Sequence, residues 1–169
     1  MKFRQSVTAL MMLCSPVAAE NLSCDMQTVS VDFRNRDHAE LVCKSAQKAA
    51  SLFERCGAQS LNRSIQITLV RDLKDSCVGL YNCGSDLIEI LEPEDMQLAR
   101  DEDGAFGFLP IEEYFSSVVV HEMVHAISDD FHCPFEDCLV RDEYVAYALQ
   151  VMSLTQQRQI QFAGRAGLN

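Results

Sequence analysis

Basic residues are scarce in this sequence, which holds 14 lysines and arginines against 25 aspartates and glutamates. The formal net charge is -11 at pH 7, and no local basic cluster offsets it. Phosphate backbones and anionic lipid surfaces repel such a chain, so we expect neither nucleic acid nor a membrane surface as a partner.

Internal repeats, low-complexity segments and long apolar runs are also absent after the N-terminal region. A membrane-spanning helix needs about 20 apolar residues, so none is predicted there. With 169 residues, 48% of them apolar and 23% charged, the composition is that of a globular protein. We expect residues 20–169 to form a single domain.

The first 19 residues have the pattern of a secretory signal peptide. Lys2 and Arg4 give a basic start, residues 7–14 form a short apolar run, and small residues at 17–19 precede Glu20. Cleavage before Glu20 would deliver the mature chain to the periplasm or the surrounding medium. The alternatives are an uncleaved anchor, which polar interruptions of the run disfavour, and a lipoprotein linked through the cysteine that ends it.

The apolar residues repeat with two different periods along the chain. Alternation with period two predicts strands at residues 28–33, 65–70 and 86–91, and the region 65–91 is expected to hold two or three antiparallel strands. Spacings of three and four predict helices at residues 37–56, from Pro110 to about 128, and from 139 to about 159. The acidic stretch 92–110 is predicted as a loop with one helical turn. This order indicates an α+β domain in which helices cover one face of a small antiparallel or mixed sheet.

The helix that Pro110 opens carries His121, Glu122 and His125 in the pattern His-Glu-x-x-His, within an otherwise apolar segment. Residues four apart lie on one helix face about 6 Å apart, so both imidazoles can bind one metal ion. Glu122 lies about 100° round the axis, where it can act as a general base on a water beside that ion. The alternative is a pair of structural histidines and a glutamate, whose burial would require compensation.

A catalytic zinc ion takes a third protein ligand. Asp129 continues the histidine stripe, but about 12 Å of helix separate it from His121, so a capping or supporting role is expected. His132 in the following loop is another candidate. The preferred ligand is Glu143, because a helix returning from that loop would bring it to face the first helix. Its alternative role is that of a solvated glutamate at a helix N-terminus.

These residues resemble the motif of gluzincin-type zinc metallopeptidases, in which His-Glu-x-x-His is followed by a glutamate on a later helix. His121, Glu122 and His125 match the first part of the motif and Glu143 matches the second. The likeness covers about residues 60–155 and is closest in format to small secreted bacterial families. It implies a zincin-like fold, zinc held by the two histidines and Glu143, and a peptide or protein substrate.

The resemblance also implies a mechanism, in which a zinc-bound water activated by Glu122 attacks the peptide carbonyl. Tyr147 would donate to the developing oxyanion, with a core aromatic as its alternative role. Thermolysin-like members carry an aspartate at the position of Tyr147, so the usual support for the first histidine is either missing or comes from elsewhere, with Asp129 and Asp142 as the candidates. An edge strand pairs with extended substrate in such enzymes, and the candidate is the strand at residues 86–91.

Seven cysteines follow the predicted signal peptide, an odd number that leaves one unpaired. Two pairs close short, turn-rich loops and are the preferred disulfides: Cys77 with Cys83, and Cys133 with Cys138. A structural zinc site of His132, Cys133 and Cys138 is the alternative for the second pair, although export favours the disulfide.

Of the other three cysteines, Cys43 and Cys56 lie on the predicted helix 37–56. They are about 20 Å apart along its axis, so they cannot pair with each other. Cys24 is expected to bond one of them and to leave the other as a buried thiol.

The sequence supports two functional hypotheses of different classes. The first is an exported zinc-dependent metallopeptidase, which the His-Glu-x-x-His helix and Glu143 favour. The second is a catalytically inactive zincin-like module that binds or scaffolds a partner, which the small size and the missing aspartate favour. A metal-free binding domain held together by disulfides is a weaker third.

Overall fold

The computed structural model describes residues 20–57, 61–129, 131 and 138–167. Within these ranges the strands are β1 (Glu20–Ser23), β2 (Val29–Phe33), β3 (Ile65–Val70), β4 (Gly79–Asn82) and β5 (Leu87–Leu91). The α-helices are α1 (Arg36–Arg55), α2 (Pro93–Ala99), α3 (Ile111–Ser128), α4 (Leu139–Met152) and α5 (Gln156–Arg165). The predicted α+β class is confirmed.

The strands form one mixed sheet in the order β1-β2-β3-β5-β4. β2, β3 and β5 run parallel, while β1 and β4 pair antiparallel at the two edges. A mixed sheet was one of the two predicted forms. The expectation that segments 65–70 and 86–91 pair antiparallel is wrong, because β4 reverses the chain between them and β5 returns in the direction of β3.

Among the described strands, the sheet edge near the predicted site is β4, which corrects the predicted position of the substrate-pairing strand. β5 (residues 87–91) lies between β3 and β4, so its backbone is paired on both sides. The sequence allowed a third strand in this region but did not locate β4, because Gly79 and Asn82 are poor strand formers. The turn from β4 to β5 passes through Gly84 and Asp86, both with positive φ.

The helices cover one face of the sheet, as predicted. Ile65, Ile67 and Leu69 of β3 are buried, and the residues between them are half-buried. Helix α3 packs against β4 and β5 of the sheet and against the helices α1, α2 and α4. It is therefore buried round most of its circumference, with Phe115 and Met123 fully enclosed.

Two helix boundaries differ from the prediction. The last predicted helix is two helices, because α4 ends at Met152 and Thr155 starts α5 as its N-cap, accepting from the Arg158 backbone N–H. The predicted loop at 92–110 begins with α2, which has Pro93 at its start. Proline there has the φ that a first helical turn requires.

The disulfides partly agree with the prediction. Cys24 bonds Cys43, as one of its two expected partners, but Cys56 is an exposed thiol, not a buried one. Cys77 and Cys83 are also free thiols, so that predicted pair is wrong. Residues 79–82 between them form strand β4, and four extended residues span about 13 Å, whereas disulfides join Cα atoms less than about 7 Å apart.

Cys138 is disulfide-bonded as well, whereas Cys133, His132 and the predicted signal peptide lie outside the described residues. The Cys24–Cys43 bond is consistent with an exported protein, since disulfides persist in oxidising compartments. Across the described part of the chain, no helix has both the length and the apolar character that crossing a bilayer demands.

Candidate metal centre

Two packed helices bring the predicted ligands together. His121 and His125 lie one turn apart on α3, and Glu143 projects from the start of α4. One ring nitrogen of each histidine and one carboxylate oxygen of Glu143 lie within 4.8 Å of one another. The side chains named as ligands from the sequence therefore converge on one point.

The distances among these donor atoms fit a tetrahedral metal ion. His121 Nε2 lies 3.1 Å from His125 Nε2, and the Glu143 oxygens lie 3.6 Å and 3.4 Å from these two nitrogens. Two ligands bonded to zinc at about 2.0–2.1 Å and separated by a tetrahedral angle lie about 3.3 Å apart. The site can therefore hold such an ion with little rearrangement.

A chain of hydrogen bonds determines which nitrogen of His121 faces this point. Ser117 Oγ donates its one proton to the Tyr114 carbonyl at 2.8 Å, so it accepts from Gln150 Nε2 at 3.0 Å. The Gln150 amide oxygen then faces His121 Nδ1 at 3.1 Å, and that nitrogen must carry the proton. His121 Nε2 keeps its lone pair, which is the form that binds a metal ion.

Gln150 thus supports the first histidine, and the expectation that Asp129 or Asp142 does so is wrong. Asp142 forms an ion pair with its chain neighbour, and Asp129 accepts a hydrogen bond from the Tyr81 hydroxyl. Gln150 is only 3% exposed. Gln150 follows Glu143 by two helical turns, so both side chains lie on one face of α4. This seven-residue spacing is the feature of the sequence that could have pointed to Gln150 as a residue of the site.

Both imidazoles are neutral at neutral pH. Burial, and after it the charge of His125, lowers the pKa of His121 to about 4, while the hydrogen bond to Gln150 opposes this change. Burial also lowers the pKa of His125, with Glu143 opposing. Protons therefore compete weakly with a metal ion for these nitrogens.

Glu122 is 7% exposed and does not belong to the group of converging donor atoms. Burial raises its pKa to about 7, the Tyr81 backbone N–H that bonds its carboxylate opposes this change, and the charge of Glu143 adds to it. A carboxyl group whose pKa lies near ambient pH can both accept and return a proton. Glu122 thus has the properties of a general base.

Strand β4 reaches Glu122 because residue 79 is glycine. A Cβ at this position would lie 2.7 Å from Glu122 Oε1 and 2.9 Å from Val118 Cγ1. Both distances are shorter than van der Waals contact allows. The backbone of β4 therefore packs directly on α3 beside the site.

Replacing Gly79 with alanine is expected to destabilise the fold by about 1–3 kcal/mol, because the added methyl group must push β4 away from α3. Denaturant unfolding measures this change. Gly164→Ala is the matched control, since a Cβ there meets nothing within 4 Å and alanine is the better helix former. A Gly79→Ala variant as stable as the wild type would contradict the close approach.

The side chain of Tyr81 anchors β4 to the end of α3. Its hydroxyl donates to Asp129 Oδ2 at 2.9 Å and accepts from Arg63 Nη2 at 3.1 Å. The same guanidinium donates to the Ala126 carbonyl on α3. This network fixes β4, whose backbone bonds Glu122, to α3, the helix that carries Glu122.

The converging side chains lie in a cleft of about 540 Å³, with residues of β4 and α4 among its lining. Tyr147 lines it, with its ring centroid 4.6 Å from that of His121 and stacked on Phe106 at 6.3 Å. Burial raises the pKa of Tyr147, and the charges of Glu143 and Glu122 raise it further. The phenol is therefore protonated at neutral pH and can donate a hydrogen bond.

A second group of histidine and glutamate side chains, His38, Glu92 and Glu94, lies outside the cleft lining. His38 Nδ1 lies 2.8 Å from Glu92 Oε2, and His38 Nε2 lies 3.2 Å from the Asn35 amide nitrogen. Both ring nitrogens thus have protein partners. We interpret this group as a structural contact between the start of α1 and the start of α2.

The family model described as "Family of unknown function (DUF6639)" matches residues 29–169. The chain belongs to this family. No curated protein and no solved structure matches it significantly. The DUF6639 match begins at β2 and therefore contains every side chain of the candidate site.

In this DUF6639 chain, the functional side chains predicted from the sequence all line one cleft: His121, Glu122, His125, Glu143 and Tyr147. The roles of Gln150, Gly79 and the Tyr81 backbone were missed, because they depend on which elements pack together. His132, the other candidate ligand, lies outside the described residues.

Proposed function

We propose that this chain is an exported zinc-dependent metallopeptidase of the gluzincin type, with a zincin-like fold. The observation that carries the proposal is the 3.1 to 3.6 Å spacing of two imidazole nitrogens and the Glu143 carboxylate. Two histidines and one carboxylate form a known ligand set of catalytic zinc. The Cys24–Cys43 disulfide supports export.

Zinc, when bound, supplies a Lewis acid that polarises the substrate carbonyl and makes water more acidic. Glu122 accepts the proton of the attacking water and returns it to the leaving amine. The burial of Glu122 and its pKa of about 7 support both transfers. Tyr147 lines the same cleft and donates to the oxygen of the carbonyl under attack.

The free edge of β4 is suited to holding an extended substrate. The Leu91 N–H donates to the Val78 carbonyl at 3.0 Å, so the alternate residues Gly79 and Tyr81 direct their peptide groups away from β5. The Tyr81 N–H is taken by Glu122. The remaining outward groups can pair with a substrate strand running along the cleft.

Two successive experiments test this function: metal analysis tests the zinc site, and a peptide library then tests the hydrolysis. Protein purified without chelator should contain about one equivalent of zinc, and less than about half an equivalent would contradict the metal centre. The zinc-loaded protein should then cleave members of a mixed peptide library, detected by mass spectrometry. Zinc binding without cleavage would favour the alternative, an inactive zincin-like binding module.

Replacing Gln150 with alanine is expected to weaken zinc binding about 10–100-fold, because His121 loses the partner that fixes its tautomer and orientation. Competition titration against a chromogenic chelator measures the affinity. Gln150→Glu keeps an acceptor for His121 Nδ1 and should therefore retain most of the zinc affinity. Gln47→Ala, at an exposed position on α1, is the control. Wild-type affinity in Gln150→Ala would show that the hydrogen bond does not support the ligand.

A further inference from the structure

The charges lining the cleft are of one sign. Its titratable lining includes the carboxyl groups of Glu122, Asp129, Asp142 and Glu143, and it contains no lysine or arginine. Apart from Lys2 and Arg4, every lysine and arginine of the chain lies in the described ranges. The undescribed residues that follow the predicted signal peptide therefore include no lysine or arginine that could line the cleft.

The arginines nearest to these carboxylates are already engaged. Arg141 pairs with Asp142, and Arg63 contacts Asp129 at 3.7 Å while bonding the Tyr81 hydroxyl. Neither lines the cleft. A substrate's terminal carboxylate would therefore meet acidic side chains, with no lysine or arginine in the described lining to receive it, which disfavours binding at a chain end.

A group of exposed apolar side chains adjoins the cleft. Of nine large apolar side chains exposed among the described residues, five lie on β4 or the N-terminal part of α4: Leu80, Leu139, Val140, Tyr144 and Tyr147. Three of the five also line the cleft. The other two, Val140 and Tyr144, are 81% and 73% exposed and neighbour each other at a spacing of one helical turn.

An exposed apolar patch of this kind beside a polar cleft is typical of a binding surface. The acidic lining and the net charge of -11 attract positive charge, while the apolar group on β4 and α4 can bury apolar side chains of a bound chain. Building on the proposed peptidase function, we propose that the cleft selects internal segments of cationic, amphipathic polypeptides.

Binding to a non-cleaving variant tests this selectivity. Zinc-loaded Glu122→Gln protein is titrated at about 0.15 M salt with three labelled peptides whose termini are blocked. The first is rich in lysine and leucine, the second has glutamate for each lysine, and the third has serine for each leucine. We expect the first to bind at least about tenfold more tightly than either other, which corresponds to about 1.4 kcal/mol. Binding of the second or the third peptide as tight as that of the first would overturn the proposal.

Matched variants locate the binding surface. Asp142→Asn and Tyr144→Ser should each weaken binding of the lysine and leucine peptide several-fold. Asp25→Asn removes the same charge beside the opposite edge of the sheet, and Leu98→Ser removes an 86% exposed side chain from α2. Both controls should bind as the unmodified protein does. Controls that weaken binding equally would indicate a diffuse attraction and would overturn the proposal.

Cleavage of the same peptides, and of versions with a free C-terminal carboxylate, by wild-type protein separates this inference from the proposed function. Selective cleavage of the lysine and leucine peptide at internal bonds supports both. Equal cleavage of all three, or cleavage restricted to versions with a free C-terminal carboxylate, would keep the peptidase and overturn the selectivity. Selective binding without any cleavage would overturn the peptidase and leave the ligand class standing.

Discussion

Replacing Glu122 with glutamine is expected to lower kcat/KM for peptide hydrolysis by about 10²–10⁴-fold, with zinc content unchanged. Glutamine has nearly the same volume and still accepts the hydrogen bond from the Tyr81 N–H, but it cannot take up the proton of the attacking water. Because Glu122 is not one of the converging ligand atoms, the metal centre should stay intact.

Two measurements made on the same sample check this expectation. Metal analysis should give the wild-type zinc content, and hydrolysis of a peptide taken from the library should be nearly lost. Glu112→Gln, at an exposed position in the first turn of the same helix, should retain full activity. If Glu122→Gln hydrolysed the peptide at the wild-type rate, Glu122 would not be the general base.

Replacing Glu143 with alanine is expected to weaken zinc binding by more than about 100-fold, because outer-sphere partners alone contribute about 10–100-fold. With Glu143 gone, His121 and His125 are left as the converging donors in the described part of the chain. Two imidazoles one helical turn apart cannot complete the three-ligand set of a catalytic ion.

Asp142→Ala is the matched control for Glu143, since it removes a carboxylate one residue away that does not belong to the ligand group. It should keep tight zinc binding. His132→Ala tests the other ligand candidate from the sequence. If zinc is lost from His132→Ala and retained in Glu143→Ala, the assignment of the third ligand is wrong.

The convergence of His121, His125 and Glu143 could be anticipated because it follows from local geometry. A four-residue spacing fixes two side chains on one helix face, and a short return brings the next helix alongside. Most strands could likewise be predicted from alternation. Strand β4 could not, because a four-residue edge strand beginning with glycine acquires its structure from its pairing with β5.

The hydrogen-bond partners of the site could not be assigned from the sequence, for a different reason. Gln150 and Ser117 are 33 residues apart in the chain, and their contact exists only once α4 docks on α3. The cysteines show the same limit, since the spacing of Cys77 and Cys83 suits a closed loop and only the extended strand between them excludes it. Such features are set by long-range packing and not by local propensity.

Helix α4 supplies Glu143 to the candidate metal centre and, two turns later, holds the ring of His121 in place through Gln150. If α4 separated from α3, a bound ion would lose one donor, and a second donor would become free to rotate in the same event. Any ion at this point would therefore cross-link the two helices. Retention of the ion and local stability of the C-terminal part of the molecule would then be measures of a single equilibrium.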